Sequence, residues 1–198
     1  MQKFKVIFLA GALTSGVLLT GCSETETTAA APTGIDPKVF VDSLFAVMSS
    51  DRANYTNLIV QRLGPNVAGL IKPDEHWEDM PEGAPLPAQM FRYGAEKVAE
   101  RTSEFTYSLQ SLWPVNKQNA PRTELEKQGL QYIADNPGMN FYGEETLGGT
   151  TYYTAVYPDV AVSPACTGCH NDHRDSPRSD FQIGEVMGGV VIRVPVGG

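Results

Sequence analysis

The sequence predicts an α+β fold in which helices flank one antiparallel sheet. Helical patterns come first along the chain, strand patterns follow with one helix among them, and a final strand pattern comes after a long loop. The strict alternation of strands and helices that characterises a parallel, doubly wound sheet is missing. The 198 residues suffice for one ordinary domain, and an apolar content of 41% supports a packed core.

Residues 1–21 are predicted to form a bacterial lipoprotein signal peptide. Lys3 and Lys5 precede an uncharged apolar run over residues 6–19, and Gly21 stands directly before Cys22, a pattern typical of a secretion signal. A plain signal peptide or a membrane-spanning segment is the alternative, but the run is shorter than the roughly 20 residues that cross a bilayer. We therefore expect cleavage before Cys22 and lipid attachment to its thiol.

Residues 22–35 are predicted to be a flexible tether. They are mostly small and polar and contain no aromatic residue, so they bury little apolar area. Ser23, rather than an aspartate, follows Cys22, which in Gram-negative sorting favours the outer membrane over the inner. The expected location is therefore extracytoplasmic and periplasm-facing, with the protein held at the membrane by the lipid on Cys22.

The domain itself is predicted to span residues 36–198 and to begin with a long helix. Asp36 and Pro37 supply a capping carboxylate and a first-turn proline, apolar residues then recur at helical spacing, and Gly64-Pro65 ends the pattern. This predicts one helix over 36–63, with polar residues 49–52 as a candidate bend. Further helices are expected over residues 86–101 and 121–134.

Four strands are predicted from short runs rich in aromatic and β-branched residues. They cover residues 105–112, 139–142, 150–157 and 187–196. Gly148 and Gly149 separate the second strand from the third, a pattern typical of a hairpin. A loop is expected to precede the last strand and to contain residues 166–170.

Charge, cysteine count and motifs exclude several functional classes. The formal net charge of −8 argues against nucleic acid as a partner, because phosphates would be repelled. The chain has only three cysteines, too few for a disulfide scaffold. The sequence contains no Gly-x-Ser-x-Gly elbow, P-loop or dinucleotide-binding glycine motif. We therefore expect a protein that is not an enzyme.

The segment Cys166-Thr167-Gly168-Cys169-His170 has the C-x-x-C-H spacing of haem c attachment. Two thiols three residues apart can add to the two vinyl groups of one haem, and the next histidine then becomes the proximal iron ligand. The cysteine count agrees, since Cys22 takes lipid and the other two take haem. The cofactor expected is therefore one covalently bound haem c.

Two other roles for this segment stay open. Cys166, Cys169, His170 and His173 are zinc-ligand types, but adjacent residues 169 and 170 are poorly placed to chelate one tetrahedral ion. A redox-active C-x-x-C pair normally opens a helix in a βαβ setting, whereas Ser163-Pro164 here predicts a loop.

The sixth iron position has several candidates among the histidines and methionines. His173 is too close to His170 to reach the opposite haem face, and His76 lies in an acidic loop. Met48 has core spacing in the first helix, whereas Met90 stands in the first turn of the second helix. A methionine is most often packing filler, so composition alone selects none of them.

Residues 86–196 resemble a family of single-haem c proteins with a PAS-like fold. These proteins occur alone in cyanobacteria and as sensory modules ahead of bacterial histidine kinases and chemoreceptors. The resemblance rests on Leu86–Phe91, Ser108–Lys117 with Asn119–Pro121, Tyr157–Asp159 ahead of the C-x-x-C-H segment, and the ending Gly184–Ile192.

The resemblance implies an antiparallel PAS-like sheet with the haem against it, with Cys166 and Cys169 as thioether residues and His170 as the proximal ligand. The family includes a member whose distal ligand is a cysteine from the helix before the first core strand. This chain has no cysteine there, and the matching stretch falls near Met90. The resemblance therefore implies a His170/Met90 iron, with His76 as the second candidate.

Two functions follow as expectations. The first is a membrane-tethered redox or gas sensor, in which redox state or a diatomic gas changes ligation at the iron and a partner protein receives the signal. The second is a one-electron carrier of the periplasm or outer membrane. A peroxidase is less well supported, because it needs a distal acid or base and the sequence offers only His76.

Overall fold

The computed structural model describes residues 34–197, so the predicted signal peptide, Cys22 and nearly all of the tether lie outside the described residues. In chain order the elements are α1 (Pro37–Asn54), a π-helical segment (Tyr55–Gln61), β1 (Lys72–Pro73), β2 (Gly83–Ala84), α2 (Pro87–Ala99), β3 (Thr106–Gln110), α3 (Glu124–Asp135), β4 (Phe141–Leu147), β5 (Thr150–Val160), α4 (Pro164–Asp172) and β6 (Val186–Pro195). None of the helices within this range is both long and apolar enough to cross a bilayer.

The main sheet is antiparallel throughout, with strand order β3-β6-β5-β4. The last strand of the chain therefore lies at the centre, between β3 and β5. Gly148 and Gly149 join β4 to β5 with φ angles of 59° and 86°, the left-handed pair that a two-residue hairpin requires. The predicted α+β class, the antiparallel sheet and this hairpin are all confirmed.

Both faces of the sheet are covered, so adjacent residues of a central strand enter different cores. Ala155 and Tyr157 of β5 pack in a cluster with Val41 of α1 and Phe91 of α2. The intervening Val156 instead packs with α3. This alternation is the two-residue period of an extended strand, and it produces a helix–sheet–helix arrangement around one sheet.

α3 approaches the sheet closely because β6 has a glycine beneath it. A Cβ placed on Gly189 would lie 2.9 Å from side-chain atoms of Leu130, Ile133 and Val156. Thr123 is the N-cap residue of α3. Its side chain accepts a hydrogen bond from the Glu126 N–H at 3.1 Å, and the Glu126 carboxylate accepts one from the Thr123 N–H at 3.0 Å. Because of this capping box the helix begins at Glu124, three residues later than Pro121 predicts.

The first helix is held on the sheet by one carboxylate. The hydroxyls of Tyr142 and Tyr157 donate to Asp42 Oδ1 at 2.8 and 2.6 Å, and Lys38 Nζ donates to Oδ2 at 2.6 Å. Burial works against ionisation of Asp42, but these three donors outweigh it and lower the pKa of the carboxyl group. The ionised carboxylate thus joins α1 to β4 and β5.

The helical segment 36–63 is not one regular helix, and its irregularity is not at the predicted bend over residues 49–52. The α-helix ends at Asn54 and a π-helical segment follows from Tyr55. Thr56 Oγ1 donates back to the Arg52 carbonyl at 2.8 Å, and the Tyr55 hydroxyl donates to the Pro85 carbonyl at 2.7 Å. These local and tertiary bonds accompany the change of helix type, which polar composition alone does not locate.

Candidate cofactor site

The C-x-x-C-H segment lies in α4 rather than in the predicted loop. Ser163 is extended (φ −152°, ψ 158°) and Pro164 occupies the first turn, a position where proline is well tolerated. Cys166, Cys169 and His170 then stand at positions i, i+3 and i+4, which share one face of a helix. The helix thus presents two thiols and an imidazole to the same side, and within residues 34–197 nothing outside the local helix backbone lies within 4 Å of a Cβ placed on Gly168.

The two cysteines have different surroundings. Both are free thiols. Cys166 packs against a small apolar cluster of Ala161, Phe181 and Met187, and its sulfur lies 3.7 Å from Ser163 Oγ. Cys169 is exposed. Cys166 therefore contacts an apolar cluster, whereas Cys169 lies at the protein surface.

His170 is partly buried, and this burial disfavours its protonated form. Its ring meets Phe181 edge to face, with centroids 6.0 Å apart and planes at 90°. Burial lowers the pKa of His170; the charge of Asp159 opposes this, while Arg52 and His173 add to it. A neutral imidazole is the form that ligates metals. Among residues 34–197, His170 Nδ1 is one of few buried polar atoms without a hydrogen-bond partner.

The setting of α4 differs from that of a redox-active C-x-x-C pair. Partial desolvation, followed by the negative charge of Glu75, raises the pKa of Cys169. The start of a helix does match a redox motif, contrary to the predicted loop, but the adjacent strands β5 and β6 are antiparallel and do not form a βαβ unit.

The zinc alternative gains no support from the described residues. Within residues 34–197, no three side chains among the histidines, cysteines and acidic residues are arranged to hold a metal ion. His173, the fourth ligand that zinc would need, lies with its Nε2 3.7 Å from a Glu75 carboxylate oxygen.

A surface cleft opens beside α4. It has a volume of about 620 Å³ and is lined by Glu75, Val115, Asn116, Lys117, His173 and Asp175. Glu75 connects the cleft to α2, since its carbonyl accepts from Gln89 Nε2 at 2.8 Å. The same residue acts electrostatically on Cys169. The loop around Glu75 and the residues after α4 therefore meet at this cleft, and Gln89 connects that loop to the start of α2.

The two predicted distal ligands lie in these same segments. Met90 is in the first turn of α2, next to Gln89, and is 48% exposed. The His76 side chain is 75% exposed, with Nε2 3.5 Å from Glu75 Oε1. Neither side chain is buried in the hydrophobic core. The assignment of either residue as the distal iron ligand stays a prediction.

The structure also brings together side chains that are distant in the sequence. Trp113 meets Phe181 edge to face at 5.9 Å, and the Arg178 guanidinium lies 4.3 Å from the Phe181 ring centroid. Arg52 and Asp159, whose charges act on His170, form an ion pair. Trp113 and Asp159 stand in segments on which the resemblance rests, whereas Phe181 and Arg52 offer no signal of a role at this site in the sequence.

Fold and site together define an α+β protein with a helix-covered antiparallel sheet and a C-x-x-C-H helix at one end of it. The sequence model of the Tll0287-like family matches residues 38–195, which cover nearly the whole of α1 through β6. The chain therefore belongs to the Tll0287-like family, and the resemblance noted in the sequence is confirmed.

A solved structure shares this fold. The chain is similar to the crystal structure of the cyanobacterial haem protein Tll0287 with a TM-score of 0.52 and 15% sequence identity, covering 81% of this chain and 97% of that one. No curated protein sequence matches the chain significantly.

Proposed function

We propose that the protein is a monohaem c-type cytochrome, with Cys166 and Cys169 as the thioether residues and His170 as the proximal iron ligand. The observation that carries the proposal is the placement of two free thiols and a partly buried imidazole on one face of α4. Family membership and the likeness to a cyanobacterial haem protein support it. A bound haem supplies one-electron chemistry and, where a ligand can leave, a site for a diatomic gas.

The residues of the chain fit this cofactor in several respects. Cys166 stands at an apolar wall formed by Phe181, Met187 and Ala161, which suits a macrocycle with one edge excluded from water. Cys169 is exposed, so the second thioether would stand at the surface. Lys117 lines the cleft beside α4 and is a cation available to a propionate.

Covalent attachment is tested by mass spectrometry of the denatured protein after secretion and haem maturation. We expect the mass of one haem on the wild-type chain. Cys166→Ala and Cys169→Ala should each retain at most a single thioether, while the matched control Thr167→Ala should be fully loaded. A wild-type chain without bound pigment would refute the proposal.

We further propose Met90 as the distal ligand, with His76 as the second candidate. Met90 is about half exposed and is not part of the hydrophobic core, so its flexible side chain can move with little loss of packing. Met90→Ala should abolish the low-spin absorption signature, whereas His76→Ala and Met139→Ala, the latter at a similarly exposed methionine, should preserve it. Loss of that signature in His76→Ala alone would transfer the role to His76.

The activity proposed is redox or gas sensing through a change of ligation at the iron, with the signal passed to a partner protein. A thioether is a weak, displaceable ligand compared with a thiolate, which suits this role. Carbon monoxide should displace Met90 from the ferrous protein and shift its absorption spectrum. An unchanged spectrum under saturating carbon monoxide and nitric oxide would exclude gas sensing.

Electron transfer is the alternative, and the exposure of Cys169 favours it because it places one edge of the site at the surface. A carrier should keep both axial ligands on reduction and exchange electrons rapidly. Peroxidase activity is not proposed, since the exposed His76 is paired with Glu75 and no other distal base was predicted.

The location proposed is extracytoplasmic, at the membrane through lipid on Cys22, with the outer membrane favoured. Cys22→Ser should release the protein into the soluble periplasmic fraction with its haem intact. Membrane retention of that variant would contradict the lipid attachment.

A further inference from the structure

The loop between α4 and β6 is fastened to α4 by one side chain. Asn171 Oδ1 accepts a hydrogen bond from the Phe181 N–H at 2.9 Å, and Asn171 Nδ2 donates one to the Phe181 carbonyl at 2.9 Å. Phe181 lies outside the helices and strands, so no helix or sheet bonds hold its backbone. A side-chain amide suits this task because it carries both a donor and an acceptor.

The bonds to Asn171 keep the Phe181 side chain inside the apolar cluster beside α4. Phe181 is only 3% exposed, and Cys166 packs against the same cluster. The Trp113 ring and the Arg178 guanidinium lie 5.9 and 4.3 Å from the centroid of the Phe181 ring. Because protein interiors are close-packed, a ring with these neighbours has little room to reorient.

Phe181 also contacts the histidine that is assigned to the iron. The ring centroids of Phe181 and His170 are 6.0 Å apart and their planes meet at 90°, an edge-to-face geometry that aromatic pairs favour. A metal-ligating histidine is normally oriented by a hydrogen bond from its second ring nitrogen. Within residues 34–197, His170 Nδ1 is buried and has no hydrogen-bond partner. Packing against Phe181 can take the place of that bond in orienting the ring.

We propose that Phe181 sets the orientation of the proximal imidazole, and that Asn171 is a positioning residue which acts through Phe181. The inference rests on the proposed function, because it concerns the residue assigned to the iron. The two hydrogen bonds fix the backbone of Phe181 relative to α4, so its ring is held beside His170. Loss of either the bonds or the ring should therefore let the imidazole plane rotate relative to the haem.

The test is the proton NMR spectrum of the ferric, full-length, haem-loaded protein with cyanide bound. Excess cyanide occupies the distal position, so the result does not depend on which residue binds there in its absence. In such a low-spin haem the chemical shifts of the four haem methyl groups depend on the orientation of the proximal imidazole plane. Asn171→Ala, which removes both bonds, and Phe181→Leu, which keeps them but removes the ring, should each change the pattern of methyl shifts.

Asn136→Ala is the matched control. Asn136 is the C-cap residue of α3, and its Nδ2 donates to the Tyr132 carbonyl at 2.9 Å. The control therefore also removes an asparagine bond to a backbone carbonyl at the end of a helix, and it should leave the methyl shifts unchanged. A change as large as that of Asn171→Ala would show a general loosening of the fold and would overturn the inference.

A purely structural role would give another pattern. Wild-type methyl shifts in Phe181→Leu would overturn the inference, even if that variant is less stable, and wild-type shifts in Asn171→Ala alone would refute the positioning role of Asn171. If Asn171→Ala does not take up haem, Phe181→Leu decides the matter, because it leaves both hydrogen bonds in place. Absence of haem from the wild-type protein would instead overturn the proposed function, and this inference with it.

Discussion

Glu126 is a fully buried carboxylate whose removal tests the α3 side of the fold. Its Oε1 accepts from Gln110 Nε2 at 2.6 Å and lies 2.8 Å from Arg193 NH2. Its Oε2 accepts from the backbone N–H groups of Arg122 and Thr123. With 0% exposure, water cannot replace any of these four donors.

The substitution Glu126→Gln keeps the shape and removes both the charge and one acceptor. If the new amide nitrogen takes the place of Oε2, the backbone N–H groups of Arg122 and Thr123 lose their acceptor. If it takes the place of Oε1, the Gln110 side chain can rotate to offer its unpartnered Oε1 as an acceptor, but Arg193 loses one of its carboxylate partners. A buried donor left without a partner costs about 1–3 kcal/mol, so we expect a loss of about 2–3 kcal/mol and a Tm lower by about 5–10 °C.

The assay is urea unfolding followed by circular dichroism, with Glu124→Gln as the matched control. Glu124 is an exposed carboxylate in the first turn of the same helix, where loss of its charge should cost about 1 kcal/mol or less. Equal stability of Glu126→Gln and the wild type, within about 0.5 kcal/mol, would refute the reasoning about buried acceptors.

Three further predictions concern other parts of the fold. Tyr157→Phe should lower the free energy of unfolding by about 1 kcal/mol, since it removes the 2.6 Å bond to Asp42; an unchanged urea midpoint would contradict this. Because the folded pKa of Asp42 is lowered, its contribution is complete above the unfolded value of 3.8 and is lost as the pH falls through the folded value. Asp42→Asn should therefore flatten the decline in stability between about pH 5 and pH 2, and an equally steep decline in both proteins would contradict it. Gly189→Val should cost about 2 kcal/mol or more by overpacking under α3, whereas full stability would show that α3 can move away.

Much of the fold was predictable because it follows from local patterns. The strands corresponding to β3, β5 and β6 were placed within a few residues, and the Gly148-Gly149 hairpin matched its turn. β4 was predicted too short, because its outer half carries the polar run Glu144–Thr146, which lacks the hydrophobic alternation that indicates a strand. β4 lies at the edge of the sheet, and three of its last four residues are exposed, so this half has little apolar area to bury.

α4 was missed because its sequence has little helical pattern of its own. Its nine residues include Pro164, Thr167 and Gly168 and no apolar stripe, so local propensity favours a loop. The π-helical segment was likewise missed, since it accompanies a bond from Tyr55 to Pro85, thirty residues away. Both features depend on neighbours that no local window contains.

The sequence by itself determined the α+β class, the antiparallel sheet and the position of the C-x-x-C-H segment, since these depend on residue type, spacing and short-range turns. Only the tertiary structure decided that the segment is helical and that Cys166 meets an apolar wall while Cys169 is exposed. It also decided that Arg52 and Asp159, 107 positions apart, form an ion pair. Burial and charge proximity arise when distant parts of the chain pack together, and these two quantities set the chemistry of an ionisable side chain.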